Sequence, residues 1–334
     1  MQAPKFWNQR IGLYACLLWP LGRLYAWATA QRVKKMDATA PHIPTICIGN
    51  INVGGTGKTP TTIALAQYFM DHNIDVHIVS RGYGAKIGAT FLVEPTKHTA
   101  DQTGDEPLIM AAFVKTWVTP KRDDGIHAAM AAGAQVVLVD DGFQDPSFAR
   151  TLSLVVVDGK QGFGNGLCLP AGPLREPVKS GLARADAVVI LGNDPINPAL
   201  KTNLGHFSKP ILRGALHPVE TGMDWTQGRY LAFAGIGQPE KFYKTLSDLG
   251  AQIVETVNLD DHQPLTPALI KRLAHQAHGL GADLITTEKD AVRLPREYQG
   301  TIPFLPVRLG FENTDQLSDV LAPVLASATN RELS

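Results

Sequence analysis

Short runs of consecutive apolar residues alternate with stretches of helical period along most of this chain. Runs without a polar face are typical of parallel strands that are buried on both sides, and the stretches between them are typical of crossover helices. The alternation therefore predicts an α/β fold around a parallel sheet. In the first half of the chain, the predicted strands are 46–48, 76–79, 91–93, 135–141, 154–157 and 187–191.

A second and smaller α/β unit is predicted beyond 193–210, a proline-containing stretch without a clear period that we interpret as the interdomain connection. The length of 334 residues is long for a single core and fits about two domains. The sequence thus predicts an N-terminal helix over 1–35, a core over 36–200 and a second α/β lobe over 201–334. The strands expected in the second lobe are 231–234, 253–257, 283–286 and 303–307.

The N-terminal stretch 4–35 predicts a basic, aromatic-rich amphipathic helix or helix pair, which Pro20 is expected to kink or split. Its uncharged run, 11–22, is much shorter than the roughly twenty apolar residues that a membrane-spanning helix needs. The pattern fits a helix in the interface of an anionic membrane and a helix on the protein's own core equally well. The apolar residues expected to form one stripe are Trp7, Ile11, Tyr14, Leu18, Leu21 and Tyr25.

The overall composition, with 44% hydrophobic and 19% charged residues, indicates a folded globular protein. Lys+Arg and Asp+Glu both number 31, so nothing indicates a nucleic-acid partner, and no motif indicates an obligate protein partner. The charge is uneven, because residues 1–40 carry six basic side chains and one acidic side chain. Cys16, Cys47 and Cys168 lie far apart and form no C-x-x-C motif, which fits a reducing cytoplasm and argues against a zinc site.

The stretch 46–60, reading ICIGNINVGGTGKTP, joins a strand pattern to a helix pattern through a glycine-rich turn. This is the layout of a phosphate-binding loop (P-loop), in which backbone N–H groups and the helix N-terminus attract phosphate oxygens. The consensus has glycine where this chain has Asn52, a residue that tolerates left-handed backbone. A glycine-rich turn that binds nothing is the plainer alternative. The candidate nucleotide-binding residues are Asn52, Val53, Gly54, Gly55, Thr56, Gly57, Lys58 and Thr59.

The stretch 135–141, reading QVVLVDD, predicts a buried strand that ends in two acids. In a parallel sheet such an acid lies beside the P-loop and can hold Mg²⁺ directly or through water. We expect Asp140 to be the main metal ligand beside the Thr59 hydroxyl, and Asp141 to be the second. The nearest match to the guanine-recognition pattern [NT]-K-x-D, at 287–290, has its lysine one place late, which favours ATP over GTP.

A kinase also needs a group that positions or deprotonates the acceptor hydroxyl. His262 is the best candidate, because the neighbouring Asp261 can fix its tautomer and raise its basicity. The glycine- and proline-rich loop 159–177 is typical of a cover or a binding loop. Arg175 and Glu176, near its end, are candidates for contacts with substrate or phosphate.

Seven motifs occur in the order GNINVGGTGKTP, SRGYG, GDEP, VDDGFQD, LPAGPLREP, LDDHQ and TTEKDAVRL. Together they resemble the tetraacyldisaccharide 4'-kinases of lipid A biosynthesis, from the N-terminal helix to about Leu294. The resemblance implies a P-loop NTPase-like kinase of two α/β/α lobes that moves the γ-phosphate of ATP to the 4'-hydroxyl of a tetraacyl disaccharide 1-phosphate, giving lipid IVA. It also implies a peripheral enzyme on the cytoplasmic face of the bacterial inner membrane, with the N-terminal helix in contact with lipid.

The resemblance implies roles for single residues as well. Asp105 of GDEP would pair with His262 as an acid–base dyad, and Asp261 would orient the histidine. By position alone, Asp105 could equally be the N-cap of a helix. The family often has a second histidine where this chain has Gln263, and no role beyond closing the cleft is predicted for 288–290. The residues expected to contact substrate are Glu106, Gln144 and Arg175.

Two other functions fit parts of the sequence. A P-loop switch ATPase explains the P-loop and Asp140 but leaves the N-terminal helix and His262 without a role; it predicts hydrolysis stimulated by a protein partner. A kinase with a soluble acceptor would make the N-terminal helix a plain packing element.

Overall fold

The computed structural model describes residues 4–35, 43–260 and 263–329. Two of the predicted catalytic residues, Asp261 and His262, lie outside the described residues. The strands are β1 Thr45–Gly49, β2 Val76–Ser80, β3 Phe91–Leu92, β4 Thr116–Val118, β5 Val136–Asp140, β6 Leu152–Asp158, β7 Ala187–Leu191, β8 Ile211–Pro218, β9 Arg229–Ala234, β10 Gln252–Asn258, β11 Asp283–Thr287, β12 Phe304–Leu305 and β13 Val307–Phe311.

The helices are α1 Leu13–Lys34, α2 Lys58–Asp71, α3 Ala100–Thr103, α4 Asp105–Ala111, α5 Arg122–Ala131, α6 Val178–Arg184, α7 Pro198–Leu204, α8 Pro239–Asp248, α9 Pro267–Gly279, α10 Glu288–Ala291 and α11 Thr314–Thr329. Short 3-10 turns occur at Lys5–Asn8, Trp225–Gln227 and Arg296–Tyr298.

A nine-stranded sheet with the order β13-β8-β7-β6-β1-β5-β2-β4-β3 forms the main body. Only the edge pairs β13–β8 and β3–β4 are antiparallel. Every residue of β1, β2, β5 and β7 is buried, which is why these strands are predominantly apolar in sequence. This parallel-dominated α/β architecture confirms the predicted fold class.

The central strand β1 lies between β5 and β6, with Ile48 in register with Asp140. The carboxyl ends of parallel strands meet at one edge of a sheet, where ligands of open α/β folds bind. The P-loop that follows β1 and the acids that end β5 are therefore neighbours, as the sequence predicts.

A smaller parallel sheet has the order β10-β9-β11-β12. It is covered on both faces, since Phe242 and Leu246 of α8 pack on one apolar cluster and Ile270 and Leu273 of α9 pack on another. This layering gives the predicted second α/β lobe its own core.

The chain does not pass from one sheet to the other at residue 200. The stretch 193–210, predicted as the interdomain connection, instead contains α7 and joins β7 to β8 within the large sheet. The reason is hydrophobic burial: Leu200 and Leu204 of α7 pack into the core of the large sheet. β13 returns to that sheet after the small one is complete, and the three-part division of the chain stays a prediction.

Helix α1 continues through Pro20 without a break, so the predicted split does not occur. Its buried face consists of the small residues Ala15, Gly22 and Thr29, spaced by seven. A Cβ atom at Gly22 would lie 2.8 Å from the carbonyl oxygen of Cys168, so α1 packs backbone to backbone on the loop 159–177.

Three members of the predicted apolar stripe, Ile11, Tyr14 and Leu21, are exposed and so do not pack on the core, and Ile11 lies before α1 begins. Close packing selects small residues for the buried face, which leaves large apolar side chains outside. The outer face of α1 is formed by Leu13, Leu17, Leu24 and Trp27, which are 74%, 67%, 61% and 61% exposed. Among the described residues, no helix is both long and apolar enough to cross a bilayer.

Candidate active site at the phosphate-binding loop

The P-loop lies between the end of β1 and the start of α2 at Lys58. Gly54 and Gly57 have φ angles of 107° and 91°, which only glycine adopts without strain. A Cβ atom at Gly54 or Gly55 would meet no heavy atom within 4 Å, so this part of the loop borders open space. The Asn50 amide holds the loop in shape by donating to Gly54 O at 3.3 Å and to the Thr56 hydroxyl at 3.0 Å. The result is a concavity of the kind that accepts phosphate groups.

Asn52 does not use the left-handed backbone expected of it, since the non-glycine residues of positive φ in the described part of the chain are Asn73 and Asp141. Asn52 is buried; its amide donates to Gly162 O at 3.0 Å, and its backbone pairs with Leu174 in an isolated bridge. Asn52 thus fastens the P-loop to the loop 159–177, and its contact with nucleotide stays a prediction.

Asp140, at the end of β5, is buried beside the P-loop. Its Oδ2 accepts a long hydrogen bond of 3.4 Å from Ser80, and its Oδ1 has no hydrogen-bond partner among the described residues. Burial and then the charge of Asp141 raise the pKa of Asp140 from 3.8 to about 7, while Lys58 acts in the opposite direction. A buried carboxylate oxygen without a partner is a position that a cation would complement, so the site fits the expected Mg²⁺.

The described residues contain no group of three or more His, Cys, Asp or Glu side chains that could hold a metal ion by themselves. Mg²⁺ in nucleotide sites is usually bound through one or two protein groups plus phosphate oxygens and water. Thr59 and Asp140 stay the predicted protein ligands of such a site.

Asp141 has a φ of 48° and a carboxylate that is already engaged by cations. Arg175 donates to both oxygens, at 2.7 and 3.0 Å, and Lys58 Nζ lies 3.6 Å from Oδ1. Burial by itself would raise the pKa of Asp141, but Lys58 and Arg175 outweigh it and hold the pKa at about 2. Arg122 stabilises the backbone turn at Asp140 and Asp141 by donating to Asp140 O at 3.3 Å and to Asp141 O at 2.7 Å.

Gln144, expected to contact substrate, is buried under the loop 159–177. Its amide donates to Asn50 O at 2.8 Å and to Glu176 Oε1 at 2.9 Å, and Glu176 in turn accepts two hydrogen bonds from Arg184. These contacts tie the P-loop to the end of the loop 159–177. The structure therefore gives Gln144 a positioning contact rather than an open face.

Asp105 is the first residue of α4, and the N-cap position belongs to Gly104, so the reading of Asp105 as an N-cap is wrong. Asp105 is buried, with Oδ2 at 3.3 Å from Nε of Arg293. Its neighbour Glu106 lies 3.2 Å from Lys289 Nζ. The negative charge of Glu106 also raises the pKa of Asp140, so the start of α4 lies within electrostatic reach of the P-loop.

A family model described as tetraacyldisaccharide-1-P 4'-kinase matches residues 14–326. The tetraacyldisaccharide 4'-kinase of Dinoroseobacter shibae is 51% identical over 99% of this chain and 100% of that protein. The chain belongs to the tetraacyldisaccharide 4'-kinase family. The Jannaschia sp. kinase is 49% identical over 97% of this chain and 99% of its own length. A crystal structure of Aquifex aeolicus LpxK in complex with ATP, 27% identical, superposes with a TM-score of 0.75 over 93% of this chain and 99% of that one.

Membership of the tetraacyldisaccharide 4'-kinase family confirms the resemblance seen in the sequence and the predicted class of enzyme, a kinase that uses ATP and Mg²⁺. The roles of single residues stay predictions, although the structure brings Lys58, Asp140, Asp141 and Arg175 together at one edge of the sheet.

Three basic residues with contacts at or near the site are not predicted from the sequence. Arg122 holds the Asp140–Asp141 turn, Arg293 contacts Asp105, and Lys241 of α8 bridges to Asp158 at 2.8 Å. For Arg293, the motif TTEKDAVRL was a signal, since it belongs to the resemblance but had no assigned role. Nothing in the local pattern singles out Arg122 or Lys241.

Proposed function

We propose that this chain transfers the γ-phosphate of ATP to the 4'-hydroxyl of a tetraacyl disaccharide 1-phosphate, with lipid IVA and ADP as products. The observation that carries the proposal is the placement of the open P-loop beside Asp140, whose buried Oδ1 has no hydrogen-bond partner in the part of the chain that the structure describes. Family membership supplies the acceptor class.

The P-loop binds the triphosphate through its backbone N–H groups, the N-terminus of α2 and the Lys58 ammonium. Thr59 and Asp140 would hold Mg²⁺, which when bound neutralises charge on the transferred phosphoryl group. Asp141 keeps Lys58 and Arg175 in place and borders the metal site. Cations fixed before the substrate arrives need little reorganisation in the transition state.

The acceptor is activated on the α4 side of the cleft. Asp105 and His262 act as the acid–base dyad that takes the proton of the 4'-hydroxyl as its oxygen bonds to the γ-phosphorus and ADP leaves. Asp261 orients His262, and Glu106 and Arg175 border the same cleft. Buried Asp105 already has a fixed charged partner in Arg293, so its carboxylate is held in one orientation.

The outer face of α1 brings the site to its lipid substrate. It presents four large apolar side chains to solvent, and Arg10, Arg23, Arg32 and Lys34 lie on or beside the same helix. An exposed apolar ridge with flanking basic residues suits the interface of an anionic membrane. We therefore place the enzyme at the cytoplasmic face of the bacterial inner membrane, as a peripheral protein.

The activity is tested by incubating the full chain with γ-labelled ATP and tetraacyl disaccharide 1-phosphate in detergent micelles. Label is expected in the glycolipid, at the 4' position by NMR of the product. Lys58→Ala should lose about a hundredfold or more in rate, while the exposed Lys201→Ala should behave as wild type. Label released only to water would contradict the kinase proposal and favour the switch ATPase.

Membrane contact is tested with the double variant Leu17→Glu/Leu24→Glu. Substitution is better than deletion of α1, because Gly22 packs on Cys168 and deletion would disturb the loop 159–177. Sedimentation with phosphatidylglycerol vesicles should fall by at least about tenfold in partition coefficient. Leu280→Glu, at an exposed leucine of the second lobe, is the matched control. Equal sedimentation of the double variant and wild type would rule out this surface.

A further inference from the structure

The side chain of Arg293, 7% exposed, lies where the second lobe meets the start of α4. Among the described residues, its guanidinium contacts three partners on three separate chain segments. Nε is 3.3 Å from Asp105 Oδ2, Nη1 donates to Asp290 Oδ1 at 3.0 Å, and Nη2 donates to the carbonyl oxygen of Gln263. The planar guanidinium carries five N–H donors in fixed directions, which lets one side chain serve three acceptors that lie apart.

Asp290, which binds Nη1 of Arg293, is itself held by hydrogen bonds. Asp290 is completely buried, and its second oxygen accepts hydrogen bonds from Gly235 N at 3.0 Å and from the Thr287 hydroxyl at 2.7 Å. Asp290 thus has both oxygens engaged, which fixes Arg293 to the carboxyl ends of β9 and β11.

Gln263 directly follows His262, the predicted catalytic histidine, in the sequence. Its N–H donates to Asp260 O at 2.9 Å, and its side-chain oxygen accepts from Asp260 N at 3.0 Å. The two residues that flank 261–262 are therefore joined directly to each other. A Cβ atom at Gly235 would lie 3.1 Å from Asp260 O and 3.4 Å from Arg293 Nη1, so this corner is tightly packed.

We propose that Arg293 is a positioning residue that holds Asp105 of the first lobe in place against Gln263 of the second lobe. The inference rests on the proposed function, in which Asp105 and His262 form the dyad. It gives the unassigned motif TTEKDAVRL a role: Thr287 and Asp290 orient Arg293, and Arg293 orients Asp105. A displacement of about 1 Å between reacting groups can cost about a hundredfold in rate, so the geometry set by Arg293 matters to kcat.

The test is a double-mutant cycle between Arg293→Gln and Asp105→Asn, with label transfer measured on full-length protein at saturating ATP and glycolipid. Arg293→Gln is expected to lower kcat by about ten- to a hundredfold with an unchanged KM for ATP. In the Asp105→Asn background the same substitution should have little further effect, because Arg293 acts through Asp105. Arg293→Lys keeps the charge and should recover part of the rate; it replaces the glutamine variant in the cycle if that variant does not fold.

The matched control is Arg296→Gln, since exposed Arg296 also bridges the lobes, by donating to Lys97 O at 3.2 Å. It should keep the wild-type kcat. Equal losses from Arg293→Gln in both backgrounds, or a raised KM for ATP at constant kcat, would overturn the inference and leave the proposed function intact. Wild-type transfer by Asp105→Asn alone would overturn the proposed role of Asp105, and the inference with it.

Discussion

Arg175 donates hydrogen bonds to both carboxylate oxygens of Asp141, with Nη1–Oδ1 at 2.7 Å and Nη2–Oδ2 at 3.0 Å. This ion pair joins the end of the loop 159–177 to Asp141, which follows β5. Nζ of Lys58, in the P-loop, lies 3.6 Å from Oδ1 of Asp141. Two cations are thus fixed beside the phosphate-binding concavity. The loop 159–177, predicted to be a cover or a binding loop, holds Asp141 in place through Arg175.

Replacement of Arg175 by lysine tests the two-bond contact between Arg175 and Asp141. Lysine keeps the positive charge but cannot bind both oxygens of Asp141 at once, so Asp141 and Lys58 should lose their fixed orientation. We expect kcat/KM for ATP to fall about tenfold or more, a loss of about 1.4 kcal/mol. The control is Arg213→Lys, in a partly exposed pair with Glu312 at 3.6 Å. Unchanged kinetics for Arg175→Lys would show that charge alone is sufficient.

The raised pKa of Asp140 predicts a pH-dependent stability of the protein without metal and nucleotide. The pKa is 3.8 in the unfolded chain and about 7 in the folded protein. The folded state therefore binds more protons between these values, and stability is lost as pH rises from about 4 to about 7. Asp140→Asn removes this loss. The free energy of unfolding of the variant should therefore rise relative to that of wild type across this pH range, by up to about 4 kcal/mol.

Urea unfolding in EDTA at pH 5 and pH 8 measures the difference. Asp101→Asn, at an exposed carboxylate, is the control and should show the same free energy difference from wild type at both pH values. If Asp140→Asn behaves like Asp101→Asn, the buried carboxylate does not take up a proton as expected.

Gly57→Ala should destabilise the protein in the absence of nucleotide. The residue has a φ of 91°, and its Cβ atom would lie 2.3 Å from Cδ1 of Leu191. Strain of this kind costs about 1–3 kcal/mol. Gly55→Ala, two residues away in the same loop, has open space at its Cβ position and no positive φ, so its thermal unfolding should match wild type. Equal stability of the two variants would contradict the loop geometry.

Gly22→Ala tests the packing of α1 on the loop 159–177. Its Cβ atom would lie 2.8 Å from the backbone oxygen of Cys168, so α1 should lift from the loop at a cost of about 1–3 kcal/mol. Trypsin should then cut faster after Arg23 and Arg32. Gly12→Ala, whose Cβ atom would be 3.9 Å from Arg10 O, should leave the cleavage rate unchanged. An unchanged rate for Gly22→Ala would refute the close contact.

The elements that the sequence predicts correctly are those whose burial is recorded in their own residues. β5 is buried along its whole length, so its residues are apolar without interruption until the acids that end it. The turn from β1 into α2 needs glycine at positions of positive φ, and the P-loop pattern shows them. Local patterns of this kind also located Asp140 and Lys58.

The features that the sequence does not reveal depend on partners far away in the chain. The buried face of α1 is set by close approach to Cys168, and small residues give no hydrophobic period. β13 pairs with β8, although all four strands of the small sheet lie between these two strands in the sequence. Likewise, the partner of Arg293 could be recognised only once the fold had brought Asp105 beside it, because charged residues carry no sign of their partner in the local sequence.

The central claim is that Asp105 and His262 activate the acceptor hydroxyl for attack on ATP. It is tested most directly by the rate of γ-phosphate transfer to tetraacyl disaccharide 1-phosphate for wild type, Asp105→Asn and His262→Ala, with Glu94→Gln as the control. The account predicts a loss in kcat of about a hundredfold or more for both variants, an unchanged KM for ATP, and wild-type transfer by the control. Transfer at the wild-type rate by either variant would contradict it.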